Sequence, residues 1–151
     1  AFNLLPVLTA EENVVLPLSL AGRKPDPAKL EALLASVGLT DRRSHRPSEL
    51  SGGQQQRVAV ARALIAEPAV VFADEPTGNL DSASGTAVLG LLRDQADAGQ
   101  TIVMVTHDPR AAAVADRVLM LADGSIVDDL TTPGEDTILS RFSNLREAAV
   151  R

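Results

Sequence analysis

Ser48–Leu64, SELSGGQQQRVAVARAL, sets a serine, two glycines and three glutamines directly in front of a run with helical apolar spacing. Ser51 and Gln54 stand three apart, as in a capping box, and Val58, Ala61 and Ile65 recur on one face. This spacing predicts a helix that opens at Ser51 and stops before Pro68. Gln54–Arg57 then falls in its first turn, toward solvent or a ligand. A little further on, Val70–Asp81 reads VVFADEPTGNLD, and the period changes. Ala69–Ala73, AVVFA, is short, apolar and β-branched between Pro68 and Asp74, which predicts a strand buried on both faces. A helix follows from about Ser82, with Val88, Leu89 and Leu92 as its core stripe and Gly99 as its stop. TIVMVT at Thr101–Thr106 repeats the buried-strand pattern, and Asp108 with Pro109 opens another helix. Strand, helix, strand, helix implies an α/β fold on a parallel sheet with right-handed crossovers.

Upstream, the pattern is helical. Thr9 and Glu12 form a second capping box, so a short helix begins there, disturbed at Pro17. Asp26 caps a helix whose first residue is Pro27; Leu30, Leu33, Leu34 and Val37 keep helical spacing until Gly38. Downstream, RVLMLADGSIVDDL at Arg117–Leu130 reads as a hairpin turning at Asp123-Gly124. The last stretch opens on turn residues and ends in an amphipathic helix built on Ile138, Leu139, Phe142 and Leu145. Three regions result: a helical 1–67, a strand-bearing 68–130 and a tail 131–151.

The chain has 151 residues, the size of one domain, and 45% hydrophobic residues, enough for a core. Its apolar runs are far shorter than the roughly 20 residues that span a bilayer, so direct membrane insertion is not expected and any membrane association passes through a partner. Cysteine is absent, which excludes a disulfide framework and a thiolate metal site. A net charge of -6 argues against broad binding of a phosphate backbone, despite the local DRRSHR at Asp41–Arg46, and 2% aromatics leave no base-stacking platform. No nucleic acid partner is expected.

In open parallel sheets, ligands sit beyond the carboxyl ends of the strands. Asp74 and Glu75 end the first strand here, and Thr106, His107 and Asp108 the second. Asp74 suits indirect Mg²⁺ binding, since that ion keeps several waters and takes one or two carboxylates with substrate phosphates. Glu75 could orient or deprotonate a water, and His107 could hydrogen-bond a phosphate oxygen. Taken alone, Asp74-Glu75 fits the start of a polar loop better, and a strand-end histidine is more often a structural hydrogen-bonder. Gly52 and Gly53 shift that balance. A simple helix start accounts for Ser51 and Gln54 but not for two glycines in the first turn, where they cost stability; bare backbone N–H groups at a helix N-terminus make a phosphate site.

LSGGQ at Leu50–Gln54, VVFADE at Val70–Glu75, GNLD at Gly78–Asp81 and VTHD at Val105–Asp108, in this order, resemble the nucleotide-binding subunits of ABC transporters. The opening FNLLPVLTAEENVVLPL and the wording ADEPTGNLDS are similar to the branch with the lipoprotein-releasing, macrolide-export and cell-division ATPases. The resemblance covers about Ala1–Leu130. It implies part of a P-loop NTPase-like parallel sheet, the second half of an ABC nucleotide-binding domain, with a helical signature subdomain. It implies that Ser51, Gly52, Gly53 and Gln54 contact ATP held by another subunit, that Asp74 holds Mg²⁺ through water, that Glu75 is the general base, that His107 contacts the γ-phosphate and that Asp81 crosses the dimer interface. It further implies a second copy of the ATPase subunit and an integral membrane permease as partners, at the cytoplasmic face of the cell membrane. The surface that meets the permease is expected between Leu4 and Leu39.

One departure stands out: no G-x-x-x-x-G-K-[ST] occurs, and the only lysines, Lys24 and Lys29, lie in the helical section. The P-loop and the aromatic that stacks on adenine are missing, so the 151 residues are expected to be cut from a longer polypeptide, to bind ATP weakly alone, and either to pair through exposed strand edges or to rearrange the N-terminal segment. Two other functions compete. A soluble ABC-type ATPase of DNA maintenance would need long coiled coils and basic surfaces, whereas here the helical section is short and the charge negative. A non-catalytic dimerising module fits the absent P-loop.

Overall fold

The computed structural model describes residues 2–149, with side chains described as far as Asn144. The chain divides into two compact units, Ala1–Val103 and Met104–Arg151.

The first unit begins with helix α1, Ala10–Leu20. Its capping box forms: Thr9 Oγ1 accepts from Glu12 N at 3.2 Å, and Glu12 Oε2 accepts from Thr9 N at 2.7 Å. The disturbance expected at Pro17 does not end the helix, which runs on to Leu20. Burial of Val14 and Leu18, on either side of the proline, outweighs the one hydrogen bond it removes. Two further N–H groups of the first turn are satisfied by the loop that follows α2, Ala10 donating to His45 O at 2.8 Å and Glu11 to Arg43 O at 3.0 Å.

Helix α2, Pro27–Ser36, is capped by Asp26, whose Oδ1 accepts from Ala28 N at 2.9 Å. Gly38 follows at φ +65°, the left-handed C-terminal stop that glycine adopts without strain. Two 3₁₀ turns, Thr40–Arg42 and Pro47–Glu49, lead to helix α3, Gly52–Leu64. Arg43 in that stretch donates to Glu11 on α1 and, at 2.7 Å, to Glu31 on α2. Val14, Leu30, Leu34, Val58 and Ala61 are buried in one apolar cluster that joins the three helices.

Strand β1, Val70–Asp74, is joined through helix α4, Ser82–Asp97, to strand β2, Thr101–Val105, and β1 pairs with β2. Asp81 caps α4 and Gly99, at φ +100°, ends it. The core stripe of α4 is Gly85, Val88, Leu91 and Leu92, with Leu89 only half-buried in place of its expected role. The expectation of strands buried on both faces is overturned. Val71 is buried, and Ala73 and Ile102 pack against the helical cluster, while Phe72 is 77% exposed and Val103 43%. The physical reason is the number of layers. α3 and α4 cover one face of the pair, and among the described residues of this unit nothing covers the other.

In the second unit, helix α5 is a single turn, Pro109–Ala112, capped by Asp108. Strands β3, Arg117–Ala122, and β4, Ser125–Thr131, form the hairpin the sequence predicts. Asp123 and Gly124 both have positive φ, 49° and 75°, the two-residue turn whose twist matches the strands. The register shifts between Met120 and Leu121, and Arg117 holds Asp129 across the ladder at 2.7 and 2.9 Å. Helix α6, Glu135–Ala149, buries Ile138 and leaves Leu139 exposed; Phe142 is half-buried, and the side chain of Leu145 lies outside the described residues. Ala111, Ala112, Met120 and Ile138 are buried in this unit.

Candidate functional site

In the first unit, the N-terminus of α3 and the segment from the end of β1 to the start of α4 come together. Ser51 caps α3 as predicted, its Oγ accepting from Gln54 N at 3.2 Å while Gln54 Oε1 accepts from Ser51 N at 2.9 Å. Gln55 is held by the chain behind it, its amide donating to Pro47 O at 3.0 Å and Leu50 O at 3.1 Å. No local spacing announces that role, because both carbonyls precede the helix.

Of the two glycines, Gly53 is the close-approach position. A Cβ at Gly52 would meet Leu80 Cδ2 at 3.4 Å and Asn79 O at 4.0 Å; one at Gly53 would meet Ser84 Cβ and Oγ, both at 3.0 Å. Gly53 therefore has a structural reason that no local spacing announces, the packing of the first turns of α3 and α4.

Asp74 is exposed and is the last residue of β1. Glu75, half-buried, follows in the left-handed region at φ 44°, and its carbonyl accepts from Gly78 N at 3.1 Å. Thr77 O accepts from Leu80 N at 3.1 Å, so two consecutive turns carry the chain to Asp81. Asp81 takes the N–H of Ser84 on Oδ1 at 2.9 Å and its hydroxyl on Oδ2 at 2.7 Å. The hydroxyl first and the N–H second hold the Asp81 carboxyl below the usual carboxylate range. A cleft of about 510 Å³ opens beside this segment, bordered by Asp74, Glu75, Pro76 and Asn79 and by Gln56 and Ala59 of α3. Arg62, on its wall, donates to Asn3 O at 2.7 Å and Phe2 O at 3.3 Å.

His107 belongs to the second unit, exposed in the bend between β2 and α5. Asp108 next to it is fixed by its N–H on Thr106 Oγ1 at 3.0 Å and by accepting from Arg110 N at 2.9 Å. Of the residues singled out in the sequence, Ser51, Gly52, Gly53, Gln54, Asp74, Glu75 and Asp81 thus lie in one unit and His107 in the other. Among the described residues, no three His, Asp or Glu side chains gather into a set that would hold a metal ion by themselves. The donor set at the end of β1 is two adjacent carboxyl groups, which suits an ion such as Mg²⁺ that draws its other ligands from water and phosphate.

A parallel strand–helix–strand unit whose first strand ends at Asp74, before Glu75, with a capped glycine helix packed on the following turn, is the second half of an ABC nucleotide-binding domain with its helical subdomain. A family model described as "ABC transporter" matches residues 1–78, and the chain belongs to that family. It is similar to a macrolide export ATP-binding/permease protein MacB of Marinobacter nauticus, 52% identical over 131 residues, covering 85% of this chain and 20% of the relative. Another protein of that name, from Neisseria meningitidis serogroup B, is 47% identical over 150 residues, covering 98% of this chain and 23% of the relative. The chain therefore spans about a fifth of the length of these relatives. Among solved structures, it is similar to the ATP-binding cassette MJ0796 in a dimeric post-hydrolysis state bound to ADP and Pi. There the identity is 40% and the TM-score 0.72, over 88% of this chain and 60% of the other.

Proposed function

We propose that the chain is part of an ATP-binding and ATP-hydrolysing subunit that powers an integral membrane permease. The observation that carries this reading is the junction of the first turn of α3 with the Glu75–Asp81 segment. It packs a helix N-terminus, with its N–H groups and positive dipole end, against Asn79, Leu80 and Ser84, in the segment that follows the two strand-end carboxyl groups in the chain. The relatives support it: their names join ATP binding to a permease in export, and MJ0796 is a dimer holding ADP and Pi.

In this reading, Ser51, Gly52, Gly53 and Gln54 present N–H and hydroxyl donors to the phosphates of an ATP held by a second copy of the subunit. Asp74 would hold Mg²⁺ through water, and bound Mg²⁺ would neutralise phosphate charge. Glu75 takes a proton from the attacking water as its oxygen bonds to the γ-phosphorus and the bond to the leaving ADP oxygen breaks, and His107 donates a hydrogen bond to the γ-phosphate oxygen on which charge accumulates. Asp81 lies at the interface of the two copies. Regions 1–67, 68–130 and 131–151 serve as helical subdomain, catalytic part and tail. Val7 and Leu20, 73% and 80% exposed on the helical section, belong to the surface that meets the permease. The subunit works at the cytoplasmic face of the membrane through that partner; no helix among the described residues is long and apolar enough to cross it.

Without a G-x-x-x-x-G-K-[ST] loop, the 151 residues alone bind ATP weakly. Calorimetric titration with Mg-ATP tests that point, and saturable micromolar binding would refute it. In the full-length protein, Glu75→Gln is expected to abolish hydrolysis and leave ATP binding intact. Retained turnover would remove Glu75 as the base.

A further inference from the structure

Gly53 is buried in the first turn of α3, directly against Ser84 in the first turn of α4. A methyl group there would lie 3.0 Å from both Cβ and Oγ of Ser84 and 3.8 Å from its Cα. Ser84 cannot swing aside cheaply, because its hydroxyl and its N–H both donate to the carboxylate of Asp81, at 2.7 and 2.9 Å. Gly52 is in a different position. The nearest atom to a methyl there is the tip of the Leu80 side chain at 3.4 Å, an apolar end that can yield.

We propose that Ser84 is a positioning residue for the nucleotide site. Clamped by Asp81 and pressed against Gly53, it fixes the spacing between the first turn of α3 and the segment that carries Asp81, so that the two helix N-termini move as one body. Gly53 is then a glycine because Ser84 occupies the space of its side chain, whatever ligand approaches from the other side. This inference rests on the reading that both turns serve one ATP-hydrolysing site.

The test is a double-mutant cycle in the full-length protein, with kcat and KM for ATP and the melting temperature measured for each variant. Gly53→Ala is expected to lower kcat by about tenfold, the scale of overpacking a buried contact, and to lower the melting temperature. Adding Ser84→Ala leaves Cβ in place and restores neither. Adding Ser84→Gly removes both crowding atoms and leaves Cα at 3.8 Å, an ordinary contact, so kcat and melting return to the level of Ser84→Gly alone. A Gly53→Ala protein as active as its parent would overturn the proposal. So would a loss that is the same size in the Ser84→Gly background, since the glycine would then answer to the ligand. An inactive parent would instead remove the ATPase reading, and the order of melting temperatures would still decide the packing.

Discussion

Glu75 is tied to Gly78 by a 3.1 Å hydrogen bond, from the Gly78 N–H to the Glu75 carbonyl, while its own backbone stands at φ 44°. A side chain with a Cβ occupies that region at a cost, and a following proline narrows the choice further. The strain at this position stands beside the chemistry proposed for it.

This conformation gives a direct expectation. Glu75→Ala and Glu75→Gly lose the same side chain, so their difference isolates the backbone. Glycine should be the more stable by about 1 kcal/mol, read from denaturant midpoints at equal m-values. At the exposed helical position Ala35, the order reverses, and Ala35→Gly destabilises by roughly the same amount. A Glu75→Gly protein no more stable than Glu75→Ala would show that position 75 holds no strain.

Asn13 supplies a second expectation. It is fully buried on α1, accepting from Leu5 N at 2.8 Å and donating to the carbonyls of Leu5, Leu8 and Thr9 at 2.9 to 3.2 Å. It thus ties the segment before α1 to the helix. Asn13→Leu keeps the volume but takes the side-chain partner from the Leu5 N–H and the Leu8 carbonyl, at about 1–3 kcal/mol, while Leu5 O still accepts from Leu8 N and Thr9 O from the N–H of residue 13. Urea unfolding of that variant should show it, and a change under 0.5 kcal/mol would mean that water takes over the bonds.

What could be read from the sequence, and what could not, divides by distance along the chain. The caps at Thr9, Asp26, Ser51 and Asp108 and the Asp123-Gly124 turn were legible, because each is decided by residues two to four positions apart. Burial of β1 was not, since an apolar run looks the same whether one or two layers cover it. The run through Pro17 and the choice of Leu91 over Leu89 in α4 depend on what packs against each helix. At the site, the glycines and the strand-end acids stood out as residue types. The contact of Gly53 with Ser84 spans 31 positions and has no local sign.

The uncovered face of the β1–β2 pair gives a third expectation. Val70, Phe72 and Val103, exposed by 38%, 77% and 43%, make an apolar strip of the kind that drives strands of separate chains together. At high concentration, the 151-residue chain should form dimers or larger species by size-exclusion with light scattering. Phe72→Glu should shift it toward monomer, since the charge would be buried in any contact through that strip. Only monomer in the parent chain would show that the strip is too narrow to hold a second copy.

Acid sensitivity of the α4 cap follows from Asp81. Its carboxyl titrates lower in the folded chain than in the unfolded one, because Ser84 donates to the charged form with its hydroxyl and its N–H. The stabilisation is therefore complete above the unfolded value, about pH 4, and is lost as the pH falls through the folded value below it. Asp81→Asn keeps an oxygen acceptor at the cap but carries no charge to titrate. Its stability near pH 7 should fall by the part that the charge contributes, while its loss of stability between pH 5 and pH 2 should be smaller. Glu67 and Asp129, also held low by Lys29 and Arg117, titrate in the same direction, so some acid loss persists in the variant. Thermal unfolding of both proteins across that range measures the difference, and superimposable curves would mean that the Asp81–Ser84 bonds add nothing to stability in solution.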